Sequence, residues 1–350
     1  MPAIIPPYLL SRLAATDAPH LARAAAAARA TLAAPRRYLP VRATIDLSVD
    51  GGALVLEASP APDRVISDAR MREDLPGVRV RGEDDPVSAD AAVNQAFDGL
   101  GATFALYWDA FGRSSIDGAG GTLPATVHYG DRYDNAFWNG ERMVFGDGDG
   151  EVFTGFTQSL SVIAHELTHG VVEYSGGLDY SGQSGALNES LADVFGALAD
   201  QHAAGQAAKD ASWLIGAGIF TPAVQGVALR SMSAPGTAYD DDVLGRDPQP
   251  AHMRDFVSTD ADNGGVHINS GIPNKAFHLV ATALGGHAWE RAGRIWYLVM
   301  TGGSLSPSAD FVEFARATLS VAAEEYGERS EEVDAVRTAW IGVGVIDDAA

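Results

Sequence analysis

Cysteine is absent from this 350-residue chain, which excludes disulfide cross-links and thiol chemistry of any kind. The same absence leaves the redox compartment open. Lysine is almost absent too: Lys209 and Lys275 are the only two, so arginine carries the positive charge. Against 24 basic residues stand 46 acidic ones, a net charge of −22, which disfavours nucleic acid or an anionic membrane as partner. No uncharged apolar run reaches about 18 residues, so the sequence contains no transmembrane helix. What is present suffices for a substantial core, since 46% of residues are apolar. The length exceeds one typical domain and predicts two lobes with an extension.

The most informative stretch is Val162-Ile163-Ala164-His165-Glu166-Leu167-Thr168-His169-Gly170. It sets a His-Glu-x-x-His pattern among apolar residues at helical spacing, from Val162 and Ile163 to Val171 and Val172. His165 and His169, four apart, share one helix face; two imidazoles so placed can hold one metal ion, and zinc suits them. Glu166 is displaced around the helix, toward a water that zinc would make nucleophilic near neutral pH. By itself the motif also fits a surface helix with two unrelated histidines. Twenty residues beyond His169, Glu189 stands in Gly185-Ala186-Leu187-Asn188-Glu189-Ser190-Leu191-Ala192-Asp193, which opens a second helical stretch. Glu189 would complete a two-histidine, one-carboxylate site with a fourth position left open. Asp193, one turn further on, can accept a hydrogen bond from a ligand imidazole, and Asn188 is assigned the same supporting role.

Together with further stretches in the same order, these motifs make the chain resemble the thermolysin family of zinc endopeptidases. The matching segments run from about Gly101 to the C-terminus. They include Tyr133-Asp134-Asn135-Ala136-Phe137-Trp138-Asn139-Gly140, Leu229-Arg230-Ser231-Met232-Ser233 and Asp262-Asn263-Gly264-Gly265-Val266-His267-Ile268-Asn269-Ser270-Gly271. The resemblance implies an α+β fold with a β-rich N-terminal lobe, a mostly helical C-terminal lobe, and the zinc-binding helix in the cleft between them. It implies hydrolysis of protein or peptide substrates with one catalytic Zn2+ on His165, His169 and Glu189. Glu166 would take the proton of the attacking water. His267 and Tyr180 would stabilise the oxyanion, with Asp262 orienting His267 and favouring its protonated form. Asn135 and the carbonyl of Ala136 would bind the substrate main chain as an edge strand does, and Arg230 a substrate carbonyl on the leaving side. Phe153, Phe156, Val162, Ile215, Ile219 and Leu229 match the leaving-side pocket of the family. All are apolar, which predicts preference for a bulky hydrophobic residue just after the scissile bond.

One departure concerns calcium. Where many relatives place carboxylates beside the active site, this chain has Ser161, Asp200, Leu214 and Ala217, and Val227 replaces a carboxylate of a further site. One carboxylate cannot supply the six to eight oxygens that calcium needs, so Ca2+ is not expected at the usual double site.

The N-terminal sixty residues differ from the rest, with six arginines against four acidic residues. An alanine-rich helix is expected at 21–34, then a β-like run at 38–47 and a turn-rich stretch. Such a mildly basic segment could dock electrostatically on the acidic body. Ile4-Ile5-Pro6-Pro7-Tyr8-Leu9-Leu10 resembles the start of the short propeptide of protealysin-like members, which occupies the cleft and is removed by proteolysis. The expected organisation is therefore a propeptide at 1–60 and a β-rich lobe at 61–175 that includes the zinc helix. A helical lobe follows at 176–350. The boundary of the propeptide is placed between about Asp46 and Pro62. Residues 1–10 lack the charged start of a secretory signal, and Pro6 and Pro7 interrupt the apolar run. Secretion by a non-classical route is expected, with a cytoplasmic location as the alternative.

Helices are expected near 89–106 and at 159–174, 189–204, 265–284, 287–302, 308–326 and 330–341. Asp240-Asp241-Asp242 reads as an exposed acidic turn. The competing function is a catalytically idle peptide- or protein-binding relative with a retained N-terminal segment. The intact His165, Glu166, His169, Glu189 and His267 count against it.

Overall fold

A computed structural model describes residues 2–34, 48–50, 53–55 and 61–347. The chain opens with α1 (Pro7–Ala14), where Pro7 fits the first turn because its missing N–H would have no partner there. Leu9, Leu10 and Leu13 of α1 are buried. α2 (Ala22–Ala33) lies where the alanine run predicts it, and its small side chains let it pack closely beside α1. A short antiparallel hairpin, β1 (Ser48–Asp50) and β2 (Ala53–Val55), follows. The β-like run at 38–47 and much of the expected boundary region fall outside the described residues.

The next lobe is built on a five-stranded sheet. It contains β3 (Arg64–Arg72), β4 (Val78–Arg81), β5 (Leu123–Tyr129), β6 (Ala136–Trp138) and β7 (Met143–Phe145), in the order β4-β3-β5-β7-β6. β3, β5 and β7 run parallel, with β4 and β6 antiparallel at the edges. α3 (Ala91–Phe111) packs on this sheet through Val93, Phe97, Leu100 and Phe104. Asp90 caps its start by accepting from the Ala92 amide at 2.9 Å. The helix outruns its expected end at 106 because its last turn is stacked into the other lobe. Tyr107 lies 5.4 Å from Phe195, and Phe111 lies 4.4 Å from Tyr297.

α4 (Leu160–Tyr174) ends this lobe, and the helical second lobe begins with α5 (Gly182–Ala204). The two helices cross so closely that a Cβ on Gly196 would lie 2.7 Å from the Ser161 carbonyl. Two small pairs follow, β8 (Leu214–Ile215) with β9 (Arg230–Ser231), and β10 (Asp240–Asp241) with β11 (Gly245–Arg246). The acidic turn is a hairpin whose Asp241 accepts from the backbone amides of Gln225, Val243 and Leu244. Five further helices complete the lobe: α6 (Asp262–Asn269), α7 (Gly271–Leu284), α8 (Ala292–Thr301), α9 (Phe311–Tyr326) and α10 (Glu331–Gly342).

Other expected helix limits change as well. α5 begins at Gly182 rather than 189, since Ser184, Gly185 and Ala186 are buried and a Cβ on Gly185 would meet Val266 at 2.5 Å. The expected 265–284 helix divides at Ser270, and left-handed φ at Asn263, Gly264 and Gly265 turns the chain just ahead of it. Residues 287–291 form a turn before α8. No helix among the described residues is long and apolar enough to cross a membrane.

Candidate metal centre and active site

α4 and α5 bring the first candidates together. His165, Glu166 and His169 project from α4, Glu189 from α5, and all four are buried. The Nε2 atoms of the two histidines are 3.0 Å apart, and each lies 3.5 Å from a Glu189 carboxylate oxygen. One ligand atom from each of the three residues falls within 4.8 Å of the others. The far side of each ring is tied down. His165 Nδ1 bonds Asp193 Oδ1 at 2.9 Å, and His169 Nδ1 bonds Asn188 Oδ1 at 2.7 Å. Both Nε2 atoms are thereby left for a metal. Glu189 Oε2 and both oxygens of Glu166 are buried without a hydrogen-bond partner. Buried carboxylate oxygens in that state are costly unless a cation or water meets them. Two imidazoles and a carboxylate around one point are a donor set that fits zinc.

The electrostatics agree with that fit. Burial, then the charge of His165, pushes the His169 imidazole down to about 3, so the ring is neutral and able to ligate. Burial acts to raise Glu189, but His267, His169 and His165 outweigh it and the carboxyl titrates below its ordinary value. Burial raises Glu166 to about 7, with His165 opposing and Glu189 adding to the rise. A carboxylate poised there can exchange a proton near neutral pH.

The remaining candidates gather around the same point. His267 follows the left-handed turn at 263–265; its Nδ1 bonds Asp262 Oδ1 at 2.7 Å. Its Nε2 donates to the carbonyl of Ala3 at 2.8 Å. Burial lowers the His267 pKa, but the charges of Glu189 and Asp262 overcome it and lift the ring to about 9. The Tyr180 hydroxyl donates to Glu189 Oε1 and lies 3.4 Å from His267 Nε2. Burial, then the Glu189 charge, holds that phenol protonated.

Asn135, Ala136 and Arg230 also meet the chain's own N-terminal segment. Ile4 N–H donates to the Ala136 carbonyl at 3.0 Å, and Ile5 N–H to Asn135 Oδ1 at 2.9 Å. Asn135 Nδ2 returns a bond to the Ile5 carbonyl at 3.1 Å, and Arg230 Nη1 donates to the Ile4 carbonyl at 3.1 Å. Ile4 is wholly buried in the apolar cluster that also contains Phe153, Phe156, Val162, Ile215, Ile219 and Leu229. Electrostatics is the smaller part of this docking, against the sequence expectation. Among the described residues the segment makes one ion pair with the body, Arg23 to Glu151, and Arg23 is largely exposed. Apolar burial carries the contact because the segment presents Ile4, Ile5, Leu9, Leu10 and Leu13 inward.

Sequence reasoning missed two features. Arg230 grips Asp193 through two bonds of 2.8 Å, and Asn274 Nδ2 adds a third at 2.9 Å. Nothing local signals a pairing across 37 and 81 residues. Asp134, one residue before Asn135, is buried with neither carboxyl oxygen hydrogen-bonded among the described residues, and the nearby Asp149 adds to the burial that raises it. At the calcium-related positions, the Ser161 hydroxyl accepts from Gly216 N–H at 3.1 Å and bonds Ser159 Oγ at 3.1 Å. Burial raises Asp200 to about 6, with a Ser161 hydrogen bond opposing.

Comparison with known proteins gives matches over most of the chain. Residues 62–173 match the description "Thermolysin metallopeptidase, catalytic domain", and residues 176–345 match "Thermolysin metallopeptidase, alpha-helical domain". An extracellular metalloprotease of Pectobacterium carotovorum subsp. carotovorum is 53% identical over 283 residues, covering 81% of each protein. Protease PrtS of Photorhabdus sp. (strain Az29) is 50% identical over 284 residues, 81% of this chain and 76% of that protein. The solved precursor of protealysin from Serratia proteamaculans superposes with a TM-score of 0.88 at 46% identity. It covers 99% of this chain and 100% of that one.

Proposed function

The chain belongs to the thermolysin family of metallopeptidases, and from that membership we propose a neutral zinc endopeptidase made as a zymogen. It is a metalloendopeptidase; its substrate preference, residue roles and processing are our reading. His165, His169 and Glu189 would hold the zinc, which when bound polarises a peptide carbonyl and acidifies water. Glu166 takes a proton from the attacking water and is placed to pass it to the leaving nitrogen. His267, charged and steered by Asp262, and the Tyr180 hydroxyl donate to the oxygen that becomes negative as the carbonyl is attacked. Asn135, the Ala136 carbonyl and Arg230 hold the main chain on the leaving side. Phe153, Phe156, Val162, Ile215 and Leu229 wall an apolar pocket for the residue after the scissile bond. Asp193 and Asn188 fix the two ligand imidazoles.

One observation carries this reading: the residues assigned to substrate already hold residues 3–5 in a substrate-like register of hydrogen bonds. The Ala3 carbonyl accepts from His267, one of the two assigned oxyanion donors, so the Ala3–Ile4 peptide stands where a scissile bond would. Residues 1–60 are then an inhibitory propeptide, followed by the catalytic lobes at 61–175 and 176–350. Action outside the cell is supported by the Pectobacterium relative, which is named an extracellular metalloprotease.

The test follows intact mass and casein hydrolysis over time for wild type and Glu166→Ala, each with zinc and with a chelator. Wild type should lose about its first fifty to sixty residues and gain activity, while Glu166→Ala stays whole and inert. If both proteins stay full length and neither cleaves casein, the idle binding relative becomes the better account. The blocked cleft is the observation that favours it. The pocket assignment is checked separately with Gly-Leu and Gly-Asp peptides. Equal cleavage rates would remove the apolar preference.

A further inference from the structure

On the side of the cleft that precedes the scissile bond lies a cavity of about 390 Å³, walled by Pro2, Trp138, Glu173, Leu178, Asp179 and Tyr180 among others. The register of the bound segment says which substrate residue meets it. With the Ala3 carbonyl on His267 and the Ile4 amide on Ala136, Pro2 occupies the place two residues before the bond. Pro2 borders the cavity without filling it, so a longer side chain there has room to extend.

The walls define the chemistry. Glu173 and Asp179 both line the cavity, and among the described residues no lysine or arginine does. His169 also lines it, with its Nδ1 bonded to Asn188 Oδ1 at 2.7 Å. Trp138 Nε1 donates to Glu173 Oε2 at 2.8 Å, which fixes that carboxylate on the wall while leaving its negative charge in place. Asp179 is anchored by its backbone: its N–H donates to the Pro307 carbonyl at 2.7 Å, and its carbonyl accepts from Ser184 Oγ at 2.8 Å. Two carboxylates on the wall of one cavity, in a chain of net charge −22, suit a long cationic side chain that carries several donors.

We propose that this cavity is a specificity subsite for a cationic side chain, arginine above all, on the residue two before the scissile bond. The proposal rests on the endopeptidase reading and adds its preference on the other side of the cleft from the apolar pocket. Glu173 and Asp179 select by charge in the ground state and the transition state alike, so the effect should fall mainly on KM.

The experiment uses the full chain incubated with zinc until its activity is constant. Three quenched-fluorescence peptides are compared, identical except for arginine, norleucine or aspartate two residues before a Gly-Leu bond. Arginine should exceed norleucine by about tenfold in kcat/KM, the scale of two partly exposed charge pairs, with aspartate slowest. The arginine-to-norleucine ratio should shrink in high salt and approach one in the Glu173→Gln, Asp179→Asn double variant. Cleavage of all three at equal rates, or a ratio unchanged in the double variant, overturns the subsite and leaves the endopeptidase standing. Failure to cleave even the norleucine peptide overturns both. A readout independent of turnover uses Pro2→Arg in the full-length Glu166→Ala chain. Deuterium exchange at the Ile4 and Ile5 amides should slow several-fold, and the slowing should vanish when Glu173→Gln and Asp179→Asn are added; no slowing counts against the subsite.

Discussion

Asp193 does more in this protein than orient one imidazole. It accepts from His165, from Arg230 twice and from Asn274, with no exposure to solvent. Burial would raise its carboxyl, but Arg230 and His165 hold it well below the usual carboxylate range. Asp193→Ala would strand a buried guanidinium and release the His165 ring. The expected loss is about 3–5 kcal/mol of stability and about 10–100-fold in zinc affinity, read by denaturant unfolding and metal titration. Asp134 presents the opposite case. Burial, then the neighbouring Asp149, pushes its carboxyl far above the ordinary value near 3.8. A carboxyl raised by folding costs stability as pH climbs above its unfolded value, because the folded state must keep a proton that the unfolded state releases. Asp134→Asn should therefore stabilise by roughly 2 kcal/mol near pH 7, because the amide has no proton to release. The gain should fade toward about pH 4, where both states hold the proton. Melting curves at the two pH values decide this, and an equal shift at both would contradict it.

At the scale of elements, the N-terminal segment is the clearest case of two effects that can be ranked. Ile4, Ile5, Leu9, Leu10 and Leu13 are buried to 1% exposure or less. Full burial of such a side chain contributes about 1.5–3 kcal/mol, whereas an exposed ion pair contributes about 0.2–1 kcal/mol. Ile5→Asp should thus shorten the half-time of conversion to the processed form by at least about tenfold. Arg23→Ala, which removes only the exposed pair with Glu151, should change it less than about fivefold. Mass spectrometry of timed samples gives both numbers. The reverse ranking would mean that charge holds the segment after all. The helices of the C-terminal lobe were legible as elements because their apolar spacing is regular. Their ends were not, since the starts of α5 and α7 are set by Val266 and Ser270, and the same holds in the other lobe for the end of α3, set by the ring stack with Tyr297.

For the whole molecule the expectation that matters most concerns calcium. Asp200 is the one carboxylate at the positions matching the usual double site. It stands beside the Ser161 hydroxyl, and burial raises it to about 6. A millimolar calcium addition should move the melting temperature of the active protein by less than about 2 °C, since a ligand that does not bind the native state cannot stabilise it. A rise of many degrees would place calcium elsewhere in the molecule.

Spacing and motif order in the sequence were enough to name the candidates: the three residues that could hold a metal, the carboxylate beside them, and the positions proposed for the cleft. His165, Glu166 and His169 lie within one helical turn, so spacing alone sets them on one element, and the order of the remaining motifs identifies the fold. Tertiary structure alone decided how those residues are held and what they hold. Arg230 and Asn274 reach Asp193 from distant parts of the chain, and Asp134 meets Asp149 only when two loops close on each other. Residues 3–5 settle on Asn135, Ala136, Arg230 and His267 across a separation of 264 residues at its widest. Contacts of that range leave no periodicity to read. They exist because burial of apolar surface brings the partners together, and hydrogen bonding then selects which of them meet.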